Sequence, residues 1–208
     1  MRWIQWVFIT GLLTSCASSK PPSLPALDVA IPRGPTSVPF VKHEESGPFK
    51  SYLAMNLPYE GFAKIRESVE AKEQIKLINR GEAHITVVTP PEYDKILSKK
   101  ISIKEIHKIA EEMKIQETPY KILCVGKGFA QVDKQKETTY FVVVSADRLF
   151  EIRKAIQKAY VAKGGKESAF DVENFYPHVT LGYTKRDLHA EDGVTKDASS
   201  CAYTLQQN

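Results

Sequence analysis

Two short stretches decide how this chain is read: Ala83-His84-Ile85-Thr86-Val87 and Pro177-His178-Val179-Thr180-Leu181. Both are rich enough in β-branched and apolar residues for strands. In a strand, residues i and i+2 point to the same side. His84 and Thr86 therefore share one face, and Ile85 and Val87 share the other. His178 with Thr180, set against Val179 with Leu181, repeats the arrangement. Each strand has a polar face suited to chemistry and an apolar face suited to a core. The chain holds five histidines and twelve threonines in 208 positions. Two His-x-Thr pairs then arise in roughly 3% of shuffled sequences, before any demand for apolar interleaving.

The chemistry that suits the pattern is hydrolysis of a cyclic phosphodiester. Two imidazoles on opposite sides of one phosphorus act as general base and general acid. Two threonine hydroxyls donate to the non-bridging oxygens, where charge gathers in the transition state. A metal site fits less well, because His-x-Thr offers no second ligand on its strand and no Asp or Glu stands at a supporting offset.

Outward from the motifs, the elements alternate. Phe49 to Leu57 reads as a strand. Phe62, Ile65, Val69, Leu77 and Ile78 follow at near-helical spacing up to Asn79 and Gly81. Thr89-Pro90-Pro91-Glu92 and Ser102-Ile103-Lys104-Glu105 read as helix starts with capping boxes. Tyr120 to Val132 and Thr138 to Ser145 read as two strands joined by a charged turn. Asp147 reads as the cap of a helix with the stripe Leu149, Ile152, Ile156 and Tyr160, ended by Gly164-Gly165. The fold class is α+β, with two mainly antiparallel sheets and helices on their outer faces.

The two ends carry different messages. An apolar run from Trp3 to Leu13, too short to span a bilayer, leads into Leu13-Thr14-Ser15-Cys16, which resembles a bacterial lipobox. The expectation is a signal peptide over residues 1–15, a lipidated Cys16, and a Pro/Ser-rich tether over 16–48 with seven of the twelve prolines. The folded domain is then 49–208, and the protein sits on the bacterial cell envelope through its lipid. Composition agrees with one ordinary domain plus an appendage. With 42% apolar residues the chain is not disordered, and with 26% charged residues it is not a polytopic membrane protein. Its net charge of +4, from 29 basic and 25 acidic residues, supplies no broad field for duplex nucleic acid. A small phosphorylated ligand or a short strand remains compatible.

The paired motifs HITV (His84 to Val87) and HVTL (His178 to Leu181), 94 residues apart, resemble the hallmark of the two-histidine (2H) phosphoesterases. The stretch HVTLGYTKRDLHAEDGVTKD from His178 to Asp197 is similar to their Swiss army knife branch, associated with RNA repair and nucleotide processing. The resemblance covers about Phe49 to Asp197. It implies a bilobal fold with a central cleft lined by the two motif strands. It implies cleavage of 2′,3′-cyclic phosphates or 2′–5′ linkages in nucleotides or short RNA, without metal or other cofactor. His84, Thr86, His178 and Thr180 match the catalytic positions one by one.

Other residues are weighed around these four. Tyr176 is a candidate to stack on a base, the plainer reading being an edge tyrosine. Lys127, between Gly126 and Gly128, is a candidate substrate contact or an exposed lysine on a bulge. Arg186 is a candidate phosphate fork or a solvated loop charge. His43, in the tether, and His107, on a helix, read as bystanders. Cys124 sits in an apolar run and Cys201 in the polar tail; in an oxidising envelope the two can pair. The leading function is an envelope-anchored cyclic phosphodiesterase acting as a monomer. The alternative is a non-catalytic nucleotide- or RNA-binding lipoprotein that keeps the cleft.

Overall fold

A computed structural model describes residues 23–30 and 38–206. In chain order the strands and α-helices are β1 (Ala26–Ala30), β2 (His43–Glu44), β3 (Ser51–Leu57), α1 (Tyr59–Glu73), β4 (Ala83–Val88), α2 (Pro90–Lys95), α3 (Ile103–Glu112), β5 (Lys121–Val132), β6 (Gln135–Ser145), α4 (Asp147–Ala162), β7 (His178–Tyr183) and β8 (Cys201–Gln206). Among the described residues these form two sheets. One is three-stranded, in the order β2-β3-β4; the other is five-stranded, in the order β1-β8-β5-β6-β7. Pairing is antiparallel except for β1 with β8. The α+β class with mainly antiparallel sheets is thus the observed one.

Local chemistry sets most element boundaries. Thr89 and Ser102 cap α2 and α3, and Glu92 and Glu105 close both capping boxes. Asp147 is not the cap of α4. Ala146 holds that position without a side-chain bond, and Asp147 stands in the first turn, where a carboxylate complements the helix dipole. Helix α1 buries Phe62, Ile65 and Val69, then stops at Gln74 in a left-handed conformation. The expected periodicity through Leu77 and Ile78 is therefore broken. Leu77 is buried from a loop, while Ile78 is exposed. Asp133 and Lys134, both at positive φ (51° and 64°), make the β5–β6 turn only two residues long. Paired positive φ values of this kind match the natural twist of a hairpin.

The tether expectation is corrected at two places. Ala26–Ala30 joins the large sheet as an edge strand and buries Leu27. It lies in a proline-free gap between Pro25 and Pro32, so nothing removes its amide donors. His43–Glu44 pairs with β3. The polar tail also folds: β8 inserts between β1 and β5, burying Tyr203 and Leu205 on alternate positions. Cys16 and the expected signal peptide lie outside the described residues.

Helix α1 covers part of the large sheet through β1 and β7, while α2, α3 and α4 pack around β3 and β4. One fully buried arginine knits the small-sheet side to the entry of β7. Arg153 donates to the carbonyls of Val87, Asp171 and Val172 and to both carboxylate oxygens of Glu92. Its guanidinium also lies over the rings of Phe170 and Phe175. Breaking such a buried pair from one side costs about 3–5 kcal/mol, so Arg153 fixes the approach to the second motif.

Candidate active site

Strands β4 and β7 lie beside each other where the two sheets meet, each belonging to a different sheet. The link from α1 to β4 bridges them. The backbone of Ile78 exchanges two hydrogen bonds with Tyr183 at the end of β7 (2.9 and 3.0 Å). Gly182 permits this approach, since a Cβ there would stand 2.8 Å from the Ile78 carbonyl oxygen. The alternation read from the sequence holds. Ile85, Val87, Val179 and Leu181 are buried in the core, and His84, Thr86, His178 and Thr180 keep partial exposure on the other faces.

His178 begins β7 beside Val143, on the sheet face that also carries Phe141. Its ring meets the Phe141 ring edge-on at 5.9 Å. Nδ1 lies 2.7 Å from the Tyr176 carbonyl. A carbonyl only accepts, so Nδ1 carries the hydrogen and Nε2 presents a lone pair. Burial, reinforced by the ammonium of Lys196, pushes the His178 imidazole down to about 3. It is neutral at ordinary pH.

The charge beside His178 comes from the loop between β7 and β8. Asp187 and Lys196 form an ion pair with Nζ 2.8 Å from both carboxylate oxygens. Lys196 is only 4% exposed. Asp187 also accepts from Thr139 Oγ1 (2.6 Å), from the Leu188 amide (3.0 Å) and from Thr180 Oγ1 (3.3 Å). Burial works to raise the Asp187 carboxyl, but the charge and hydrogen bonds of Lys196, with the Thr139 hydroxyl and the charge of His189, outweigh it and hold the group below its ordinary range. The Thr180 contact is the longest of the set, so that hydroxyl can turn away while Asp187 keeps its other partners. Leu188 and Val194 roof the same face with Phe141, Val143 and Cys124. A Cys124–Cys201 disulfide, with Cα atoms 5.7 Å apart, ties the end of this loop to β5. The pairing left open by the sequence is therefore made.

His84 has a different setting. Its Nδ1 is buried without a hydrogen-bond partner, 3.6 Å from Glu82 Oε1. Burial lowers the imidazole below its ordinary value; the Glu82 carboxylate works in the opposite direction, and the charges of Arg80 and His43 add to the lowering. Asp187 raises both His84 and His178, so one carboxylate is felt by the two motif histidines. Tyr52 of β3 lies beside His84, with ring centroids 6.0 Å apart, and stacks on His43 at 3.9 Å. In neither motif histidine does Nε2 bond to any described residue.

Sequence reasoning set two histidines aside that the structure brings in. His43 belongs to the Tyr52–His84 group. His107 is fully buried, with Nδ1 3.0 Å from Glu44 and Nε2 3.0 Å from the Tyr52 carbonyl, so it fastens β2 and β3 behind that group. The three candidate substrate contacts fare differently. Tyr176 is exposed beside the site, and its carbonyl orients His178. Lys127 lies across from Tyr140, one residue out of phase with the Gly126–Phe141–Thr180 row, and so faces away from the motif. There it bonds Glu73 at 2.6 Å, and Glu73 also accepts from the Tyr203 hydroxyl. Arg186 is committed as a fork to Asp192, at 2.9 and 2.5 Å. Asp187 and Lys196 were missed. Nothing local in the run Arg186-Asp187-Leu188 says that this aspartate returns to the core or which lysine answers it.

The family model described as 2H-SAK, Swiss Army Knife, 2H phosphoesterase domain, matches residues 51–189. Searches of curated proteins and of solved structures gave no match. The matched span runs from β3 to the loop after β7 and includes both His-x-Thr motifs. It covers more than half of the chain, and with the paired motif strands at the junction of two sheets it places the protein in the Swiss Army Knife 2H phosphoesterases, enzymes of the phosphoesterase type.

Proposed function

We propose that this protein is a metal-independent cyclic phosphodiesterase that hydrolyses 2′,3′-cyclic phosphate, or 2′–5′, bonds of nucleotides or short RNA ends. The observation that carries the reading is the contrast between its two histidines. His178 is neutral beside an ammonium, with Nδ1–H fixed on a carbonyl and Nε2 free, which is the state of a general base. His84 is also lowered by burial, but the carboxylate of Glu82 works against that and helps the ring hold its proton, the part of a general acid. In the proposed reaction His178 Nε2 takes a proton from water as the water oxygen attacks phosphorus. His84 gives a proton to the ribose oxygen as its bond to phosphorus breaks. One water is consumed and one phosphomonoester is formed. Thr86 and Thr180 donate to the non-bridging oxygens.

The reading is metal-independent because two imidazoles and two hydroxyls can between them move the protons and meet the charge on the non-bridging oxygens. We further propose that the mature chain is a monomer held at the bacterial envelope by a lipid on Cys16. The Cys124–Cys201 disulfide supports that setting, because such bonds persist in oxidising compartments. Purified protein incubated with 2′,3′-cyclic nucleotides, with the product identified by phosphorus NMR, tests the activity. Conversion to a monoester that survives EDTA is the expected result; no conversion, or full inhibition by EDTA, defeats the reading. Cys16→Ser should release the protein from membranes.

A further inference from the structure

We propose that Asp187 and Lys196 are a positioning pair for the second motif: the carboxylate parks the Thr180 hydroxyl until a phosphate oxygen takes it, and the ammonium is a fixed positive charge beside Phe141 on the face that carries His178. The inference deepens the reading of His178 as general base and rests on it. Lys196 lies beyond the residues matched to the family, so that match assigns it nothing.

The argument starts from cost. Withdrawing a lysine and an aspartate from water is expensive, and an apolar pair of similar volume often serves stability as well or better. Lys196 nevertheless sits 4% exposed against Asp187. Its Nζ stands 5.5 Å from the centroid of Phe141, the ring whose face-to-edge neighbour is His178. Two of its three hydrogens are taken by the Asp187 oxygens, which fixes the ammonium rather than leaving it to swing out. Asp187 is held in turn by Thr139 and by the Leu188 amide, so the pair is anchored to β6 and to its own loop. The charged and titratable groups that act on His178 are Lys196, Asp187 and His189. Lys196 has the greatest influence of the three and disfavours a second proton on the ring; Asp187 acts against it.

Opposite signs make the proposal testable. Imidazole titrations followed by long-range ¹H–¹⁵N NMR on the full chain need no substrate, so their outcome is separate from whether cyclic phosphates are turned over. Wild type and Lys196→Arg should keep His178 neutral down to about pH 4, close to the ordinary carboxylate range. In Lys196→Met the midpoint should rise by on the order of one to two pH units, the size expected for losing one nearby charge at a partly buried site. Asp187→Asn should move it the other way. The variant Asp187→Asn/Lys196→Gln keeps hydrogen-bonding groups without charge and guards against a Lys196→Met chain that fails to fold. It should give a smaller rise, because Lys196 outweighs Asp187 at His178. With active wild type, the acid limb of kcat/KM should follow the same displacements. A folded Lys196→Met or double variant whose His178 titrates as in wild type overturns the proposal, as does a shift of the same sign in Lys196→Met and Asp187→Asn.

Discussion

The β4 motif and the β7 motif share a sequence pattern and differ in everything around it. On β7, His178 lies against Phe141, its Nδ1 fixed on a carbonyl, with a buried ion pair beside it and a disulfide behind the loop that carries the pair. On β4, Nδ1 of His84 has no hydrogen-bond partner, and the nearest charge is Glu82, whose side chain is 41% exposed. A repeated His-x-Thr thus gives two histidines with the same reach and different proton affinity. The lesson is that acid and base roles are set by the neighbours each strand receives, not by the motif.

The largest effect should come from removing either imidazole. His84→Ala and His178→Ala should each lower kcat by about 10²–10⁴, the range for one general acid or base. Single-turnover assays on a 2′,3′-cyclic nucleotide would read this. If one alanine variant kept wild-type turnover, the comparison would collapse to a single working histidine.

Next come the hydroxyls. Thr86→Val and Thr180→Val should each cost about 10²–10³ by analogy with a lost oxyanion donor. The two should separate in stability. Thr180 gives up a contact to Asp187, whereas Thr86 has no hydrogen bond to a described residue, so only Thr180→Val should also lower the urea midpoint. Equal midpoints would show that the Asp187 contact carries no weight.

The disulfide sharpens the asymmetry from the structural side. It closes a sequence separation of 77 residues, and loss of a native bridge typically costs 2–5 kcal/mol. Cys124→Ser/Cys201→Ser should unfold at lower urea by about that amount. While the variant is folded, its NMR shifts should change at His178 and His189, near the clamped loop, more than at His84 and His43. Even changes across the four would break the link between the clamp and the β7 side.

How much of this was legible in the chain follows from how local each signal is. The polar and apolar faces of both motif strands were readable, because alternation along a strand needs only neighbouring residues. The capping boxes at Thr89 and Ser102 were readable for the same reason. The α+β class followed from the order of elements. What escaped depends on partners distant in sequence. Tyr203 and Leu205 alternate as a strand should, yet the polar run before them gave no hint that β5 had an open edge there. His107 looked like any helical histidine until β2 supplied Glu44, 63 residues away. Lys127 and Arg186 carried the right charge for a phosphate, and their commitment to Glu73 and Asp192 is decided by sheet phase and loop geometry. Lys196 sat among ordinary tail residues, and only the return of the loop buries it against Asp187.

The smallest predicted effect concerns Glu82, and it bears on the acid role of His84. For a base on His178 and an acid on His84, kcat/KM requires His178 neutral and His84 protonated. The acid limb of the profile then belongs to His178, which is pushed down to about 3. The alkaline limb belongs to His84, which burial places below the ordinary value of 6.5. The bell should therefore lie on the acid side of neutrality. Glu82 raises His84, so Glu82→Gln removes part of what keeps its proton. The alkaline limb should move to lower pH, and the acid limb should stay where it is. The displacement should stay below about one unit, since a carboxylate this exposed acts through water and counterions. A reversed assignment, with His84 as base, has Glu82→Gln move the acid limb instead. Profiles of wild type and Glu82→Gln taken in one buffer series at constant ionic strength separate the two, because the limb that moves names the histidine that Glu82 serves.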